Sequence, residues 1–361
     1  LGKDISMIDD IVTVRGGDKT KCRAPYDLVS TMRGSICVLG PLLSRRKKAN
    51  VSFPGGCIIG PRPIDLHLKG LKELGADLKI KGGYIIADGK NMKGNRVYLG
   101  GHFGSSVLAT ANVLMAAVLT KGTTVIENVA CEPEVADLIN FLKSMGADIE
   151  GVGSPRLLVN GVTKLYGCTY TLIPDRIETG TYMMAAAITK GEIFLKDAVY
   201  DHLLAPIDKL TESGVSITRQ KGGILAKYVK RLKPVYVTTL PYPAFPTDLQ
   251  AQMMALMSVT DGISVITEKI YPERFIHISE LNRMGAQIML EGPSAIVRGV
   301  KHLSGAPVMA SDLRASAALI LAALVADGVT EVSRIYHLDR GYERIEEKLQ
   351  ALGASVKRVK E

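Results

Sequence analysis

Tryptophan is absent from the 361 residues, and all aromatic residues together make up 5% of the chain. Few side chains are therefore available to stack on bases, and the basic residues are mostly dispersed. The formal net charge of +9 thus argues poorly for a nucleic-acid partner. Uncharged apolar runs long enough to cross a bilayer are also missing, which argues against membrane insertion. The opening LGKDISMIDDIV lacks the apolar stretch of a signal peptide. Cysteine is sparse and unpaired: Cys22, Cys37, Cys57, Cys131 and Cys168 stand singly with no CxxC. That excludes a dense disulfide framework or a thiolate zinc site and suits free thiols in a reducing cytoplasm. What remains is 47% hydrophobic and 22% charged, enough for two well-cored domains. The densest basic run, Arg45-Arg46-Lys47-Lys48, reads as a solvated loop after a helix. A second use for excess positive charge is a set of arginines around a small anionic substrate.

The chain repeats itself. A helix-like segment ending in a glycine turn recurs as LHLKGLKELGADLKI, VADLINFLKSMGADIEG, APIDKLTESGVSITR, HISELNRMGAQIMLE and YERIEEKLQALGASVKR. The turn glycines Gly75, Gly146, Gly214, Gly285 and Gly353 are separated by 71, 68, 71 and 68 residues. Glycine suits the left-handed residue that ends a helix, and the alternating residues beyond it suit a strand. Four further helices, beginning near Ser106, Arg176, Asp248 and Asp312, are apolar nearly all round and should be buried. Gly2 lies 73 residues before Gly75, as if the chain opened at the tail of a sixth unit. The expected fold is therefore α/β: two pseudo-symmetric domains, 1–172 and 173–361, built from about six units of which the first is incomplete. Exposed apolar surface is expected near the start of the chain. Ligands would bind in the cleft between the domains.

Several helix entrances carry polar residues: Asp175-Arg176-Ile177-Glu178, Thr247-Asp248 and Asp312-Leu313-Arg314. Asp and Thr there are either N-caps or part of an anion site. Arg314 on an otherwise apolar helix is harder to explain structurally, because a buried arginine needs a carboxylate or an anionic ligand. Arg274, Arg340 and Arg344 occupy equivalent places in two units. Cys57 sits in FPGGCIIGPRP, a segment whose glycines and prolines fit neither helix nor strand. It is either a small packed residue or, with Arg62 nearby to lower its pKa, a reactive thiol on a functional loop.

These strings closely resemble one family along essentially the whole chain: the UDP-N-acetylglucosamine 1-carboxyvinyltransferases. The resemblance is carried by APYDLVSTMRGSI, PGGCIIGPRPIDLHLKGL, GTTVIENVACEPEVADL, IPDRIETGTY, YPAFPTDLQAQMMAL, ERFIHISELNRMGA, GVKHLSGAPVMASDLRASAALI and IYHLDRGYERIEEKL. It implies the enolpyruvyl transferase fold of two inside-out α/β domains. It also implies transfer of the enolpyruvyl group from phosphoenolpyruvate to the 3-hydroxyl of UDP-N-acetylglucosamine, the first committed step of peptidoglycan synthesis. No metal or organic cofactor is implied, and the location is cytoplasmic. By position, Cys57 matches the loop acid that fosfomycin attacks, and Asp248 the base that takes the sugar hydroxyl proton. Arg62, Arg274, Arg314 and Arg340 match arginines around the phosphate and carboxylate, with Asp312 beside them. Arg33, the run Arg62, Pro63, Ile64, Asp65 and Leu66, and the pair Ser106 and Val107 match contacts to the nucleotide sugar.

Two departures stand out. The family carries a lysine–asparagine pair near its N-terminus that contacts both substrates, and this chain begins after that point. Leu108 stands where the nucleotide-contacting segment is expected to have glycine. The rival readings are a catalytically impaired nucleotide-sugar binder and the related 5-enolpyruvylshikimate-3-phosphate synthase. Retention of Cys57, Asp248 and the four arginines argues against the first, and the cysteine loop with IPDRIETGTY against the second.

Overall fold

The computed structural model describes residues 1–16, 21–55, 63–101 and 104–359; Cys57 and Arg62 lie outside the described residues. The chain divides into two compact units, one ending at Leu172 and one beginning at Ile173.

One pattern recurs in both. A short strand leads into a buried helix, which returns a second strand parallel to the first. An amphipathic helix follows, and a two-stranded hairpin completes the sheet. In the first unit, Arg23–Ala24 and Lys48–Ser52 are joined through helices α1 (Tyr26–Val29) and α2 (Leu39–Arg46). Helix α3 (Asp65–Glu73) then leads to the hairpin Asp77–Lys81/Tyr84–Asp88. The next sheet repeats the plan with α4 (Val107–Ala117) between Arg96–Tyr98 and Thr123–Glu127, and α5 (Pro133–Ser144) before Asp148–Glu150 and Arg156–Asn160.

The second unit opens with α6 (Arg176–Ile188) and α7 (Leu204–Ser213) around a three-stranded sheet, Glu192–Lys196, Gly223–Tyr228 and Val215–Gln220. Helices α8 (Gln250–Ser258) and α9 (His277–Arg283) serve the sheet Tyr236–Thr239, Ile263–Glu268, Ser294–Arg298 and Gln287–Glu291. Helices α10 (Leu313–Ala323) and α11 (Ile345–Ala351) accompany two short parallel strand pairs.

The amphipathic helices stop where the sequence places glycine. Gly75, Gly146, Gly214, Gly285 and Gly353 have φ of 91°, 96°, 110°, 91° and 96°, values that a side chain would strain. The helices with apolar circumference are the core. Every residue of α8 is buried, and α6, α8 and α10 pack on one another. Met253, Met254, Leu256 and Met257 are fully buried, each contributing about 1.5–3 kcal/mol of hydrophobic stabilisation. The strands alternate, as in Arg96–Tyr98, where only the central Val97 is buried, so the sheets wrap the helices from outside. None of the described helices is long and apolar enough to cross a membrane.

The basic run at 45–48 is not a loop. Arg45 and Arg46 close α2, Lys47 is its left-handed cap at φ 58°, and Lys48 starts a strand. The arginines thereby oppose the negative end of the helix dipole. At the start of the chain, Asp4–Ile8 pairs with Ile11–Arg15 and all ten residues are exposed, including Ile5, Met7, Ile8, Ile11, Val12 and Val14.

Candidate active site

After strand Tyr236–Thr239 the chain folds back, Leu240 N–H donating to the Phe245 carbonyl at 3.1 Å. Pro246 then admits a single 3-10 turn, Thr247–Leu249, ahead of α8. Leu249 is fully buried against Gly180 of α6; a Cβ on Gly180 would lie 2.5 Å from its Cδ1. Burying Leu249 fixes the turn and leaves the adjacent Asp248 side chain 40% exposed. Asp248 does not cap the following helix: α8 begins at Gln250, and its N-cap, Leu249, offers no side-chain bond. The N-cap reading of Asp248 is therefore corrected, because Asp248 lies inside the 3-10 turn, with Leu249 between it and the helix, and its carboxylate turns to other partners.

Those partners are two arginines. Arg274 Nη1 donates to Asp248 Oδ1 at 2.7 Å and to Thr247 Oγ1 at 3.0 Å, and its Nη2 lies 3.8 Å from Asp312 Oδ1. Arg314 brings Nε to 3.4 Å from Asp248 Oδ2, without hydrogen-bond geometry. Both arginines are buried, and Arg314 Nε and Nη1 have no hydrogen-bond acceptor among the described residues. Burial acts to raise the Asp248 pKa, but the Arg274 and Arg314 guanidiniums outweigh it and hold the carboxyl well below the usual range. His277, buried beside this group, is pushed down to about 4 chiefly by burial, so it is neutral near pH 7.

Asp312 and Asp175 do act as caps. Asp312 accepts from the backbone N–H of Arg314 and Ala315, and Asp175 from those of Ile177 and Glu178. Asp312 is at the same time buried beside Arg274. Arg340 ends the 3-10 helix Ile335–Arg340, which packs on α10, and is exposed. Arg344 is an exposed surface residue 3.5 Å from Glu347.

Two supporting groups carry no distinctive sequence signal. Tyr342, fully buried, lies under Arg314, with the guanidinium carbon 5.5 Å from the ring centroid. Its hydroxyl meets Thr181 at 2.8 Å and receives Gln252 Nε2 at 3.3 Å. Glu268 is also fully buried, and accepts from the hydroxyls of Thr239 and Thr247.

The first unit gathers a second group. Arg33 opens the 3-10 helix Arg33–Val38, and its Nη2 donates to the Pro63 carbonyl at 3.2 Å. Ile64 is buried as the N-cap of α3, followed by exposed Asp65 and half-buried Leu66. Asn112 ties these elements together from α4. Its Nδ2 lies 3.1 Å from both the Ile36 carbonyl and His67 Nδ1, and its Oδ1 accepts from Gly40 N–H at 2.6 Å. Ser106 caps α4, accepting from Ala109 N–H at 3.3 Å, and Val107 begins that helix. Leu108, in place of the expected glycine, is half-buried in the first turn of α4. Its backbone is helical, so no left-handed geometry demands glycine there.

Known proteins resemble this chain in sequence and in fold. A family model described as EPSP synthase (3-phosphoshikimate 1-carboxyvinyltransferase) matches residues 1–349. UDP-N-acetylglucosamine 1-carboxyvinyltransferase 1 of Caldanaerobacter subterraneus subsp. tengcongensis is 55% identical over 335 residues, 93% of this chain and 80% of that protein. UDP-N-acetylglucosamine 1-carboxyvinyltransferase of Methylacidiphilum infernorum is 54% identical over 336 residues, with the same shares covered. Among solved structures, the enolpyruvyl transferase NikO from Streptomyces tendae superposes with a TM-score of 0.87 at 25% identity, covering 99% of this chain and 85% of that one. By fold, by family model and by its relatives above half identity, the chain belongs to the EPSP synthase family and, within it, to the UDP-N-acetylglucosamine 1-carboxyvinyltransferases.

Proposed function

We propose that this chain transfers the carboxyvinyl group of phosphoenolpyruvate to the 3-hydroxyl of UDP-N-acetylglucosamine and releases inorganic phosphate, committing the sugar to peptidoglycan synthesis. The observation that carries the site reading is the Asp248–Arg274–Arg314 cluster, in which a buried arginine keeps donors without an acceptor. Such donors suit a small, densely charged anion, and guanidinium forks match carboxylate and phosphate bidentately. Arg340 and Arg62 add positive charge for the same anion, and Asp312 holds Arg274 in place. Arg33, Pro63, Ile64, Asp65, Leu66, Ser106 and Val107 serve the nucleotide sugar.

The steps balance as addition and elimination. Asp248 accepts the proton of the sugar hydroxyl as its oxygen bonds to C2 of phosphoenolpyruvate. Cys57 supplies a proton to C3, which becomes a methyl group. The Cys57 thiolate then takes a methyl proton back, restoring the double bond as the C2–O bond to phosphate breaks, and the leaving phosphate carries off the proton held by Asp248. Asp248 between two arginines is a weak base. An anion bound to Arg274 and Arg314 draws off part of their field and returns basicity to the carboxylate.

Phosphate release tests this reading. Release is expected only when phosphoenolpyruvate and UDP-N-acetylglucosamine are both present, and not when shikimate 3-phosphate replaces the nucleotide sugar. Release with shikimate 3-phosphate at a comparable rate would assign the chain to the rival activity.

A further inference from the structure

We propose that Glu268 is a positioning residue for the proposed base: through the Thr247 hydroxyl it sets the direction of the Arg274–Asp248 hydrogen bond. The inference rests on the reading of Asp248 as the base and goes beyond it, since Glu268 contacts neither Asp248 nor Arg274 by a hydrogen bond in this structure. Glu268 ends the strand Ile263–Glu268, in register with Thr239 on the parallel neighbour. Four donors from three segments hold it. Oε1 accepts from Thr239 Oγ1 at 2.6 Å and from the N–H groups of Ile270 and Tyr271 at 2.8 and 2.9 Å. Oε2 accepts from Thr247 Oγ1 at 2.8 Å.

The proton inventory makes this arrangement directional. A threonine hydroxyl has one proton. A carboxylate can only accept, so Thr247 gives its proton to Glu268 and turns its lone pairs towards Arg274. Arg274 Nη1 then donates one hydrogen to Thr247 Oγ1 at 3.0 Å and the other to Asp248 Oδ1 at 2.7 Å. With both hydrogens of Nη1 engaged, rotation of the guanidinium away from Asp248 breaks the Thr247 bond as well. The end of the sheet thereby fixes a guanidinium in the site through one hydroxyl. Thr239 extends the chain in the same sense: its hydroxyl donates to Glu268 and accepts from Lys269 N–H at 3.0 Å.

Glu268→Gln releases the relay with little change of shape. The amide oxygen keeps the three donors at the Oε1 position, and the NH2 falls at the Oε2 position facing Thr247. Thr247 then accepts from the amide, and with its proton no longer taken by residue 268 its lone pairs are no longer held towards Arg274. Loss of a hydrogen bond to a charged group lowers kcat for enolpyruvyl transfer by about tenfold or more. Thr247→Val should lose a similar factor, and Thr247→Ser, which keeps the hydroxyl, should restore most of it. The decisive readout is the double mutant. If Glu268 acts through Thr247, adding Glu268→Gln to Thr247→Val changes kcat by less than about twofold, because the relay is already cut.

Multiplicative losses in the double mutant, a Thr247→Ser enzyme as slow as Thr247→Val, or an unaffected kcat in Glu268→Gln would each overturn the proposal. Asp248→Asn run alongside separates the two readings. A slow Asp248→Asn with a normal Glu268→Gln rejects only the relay, whereas a normal Asp248→Asn rejects the base assignment beneath it.

Discussion

Asp248→Asn is expected to lower turnover by about 10²–10⁴-fold, the usual worth of a general base. The substitution is a sharp one here because Asp248 is not a helix cap. No capping contribution is lost, and the Asn Oδ1 still accepts from Arg274 Nη1. What disappears is the negative charge between two arginines and the ability to take a proton. Arg274 retains Thr247 and Asp312 nearby, so its buried guanidinium is not stranded, whereas Arg314 loses the carboxylate paired with it, at a position where that side chain is 40% exposed. A stability loss of about 1–2 kcal/mol, a few degrees in Tm, is the expected accompaniment. Turnover and Tm measured on the same preparation decide the matter. Turnover within about twofold of the unsubstituted enzyme, at any Tm, would remove Asp248 from the proton transfer.

The second large effect concerns the thiol. Fosfomycin, an epoxide phosphonate, is expected to alkylate Cys57 and spare Cys22, Cys37, Cys131 and Cys168. The described thiols give the selectivity a physical basis. Burial pushes the Cys37 thiol up to about 11, and its sulfur donates to the Leu108 carbonyl, so it offers little thiolate. Burial also raises Cys131, with Glu132 adding to the effect. Cys168 is exposed, so an indiscriminate electrophile would find it. Labelling of Cys57 ahead of Cys168 would therefore report an anion-binding site beside the thiol rather than mere exposure. Cys57→Asp should keep an acid in place and resist the inhibitor. Cys57→Ala should lose about 10²–10⁴ in turnover. Peptide mass mapping in the presence of the nucleotide sugar is the measurement. Adduct spread evenly over the cysteines would make Cys57 a packing residue.

What the sequence could reveal followed the strength of the local physical constraint. The turn glycines were legible as a period because each sits at a positive φ that other residues avoid. The buried helices were legible because α8 and α10 have almost no polar face to present to water. Arg314 was conspicuous for the same reason: a guanidinium on an apolar helix needs an anionic partner. Its contact with Asp248 was not legible, because the two come together only when α10 packs against α8 and its leading turn. The cap reading of Asp248 failed because a short 3-10 turn precedes the helix, a distinction that residue preference does not carry. The basic run at 45–48 failed similarly, since four cations look alike whether they end a helix, occupy its cap or begin a strand. Glu268 gave no signal at all. In ISVITEKIY it is one charged residue at the end of a strand, and its burial depends on hydroxyls and amides from three separate segments.

In the proposed reaction C3 of phosphoenolpyruvate is protonated while the sugar oxygen adds to C2. Running the reaction in deuterium oxide and determining the mass and NMR spectrum of the nucleotide-sugar product tests this most directly. The transient methyl group would gain one solvent deuteron and then lose one of its three hydrogens. The expected product therefore carries deuterium on its vinyl carbon and forms in step with inorganic phosphate. A carboxyvinyl product released with phosphate but bearing no deuterium on that carbon would contradict the protonation of C3.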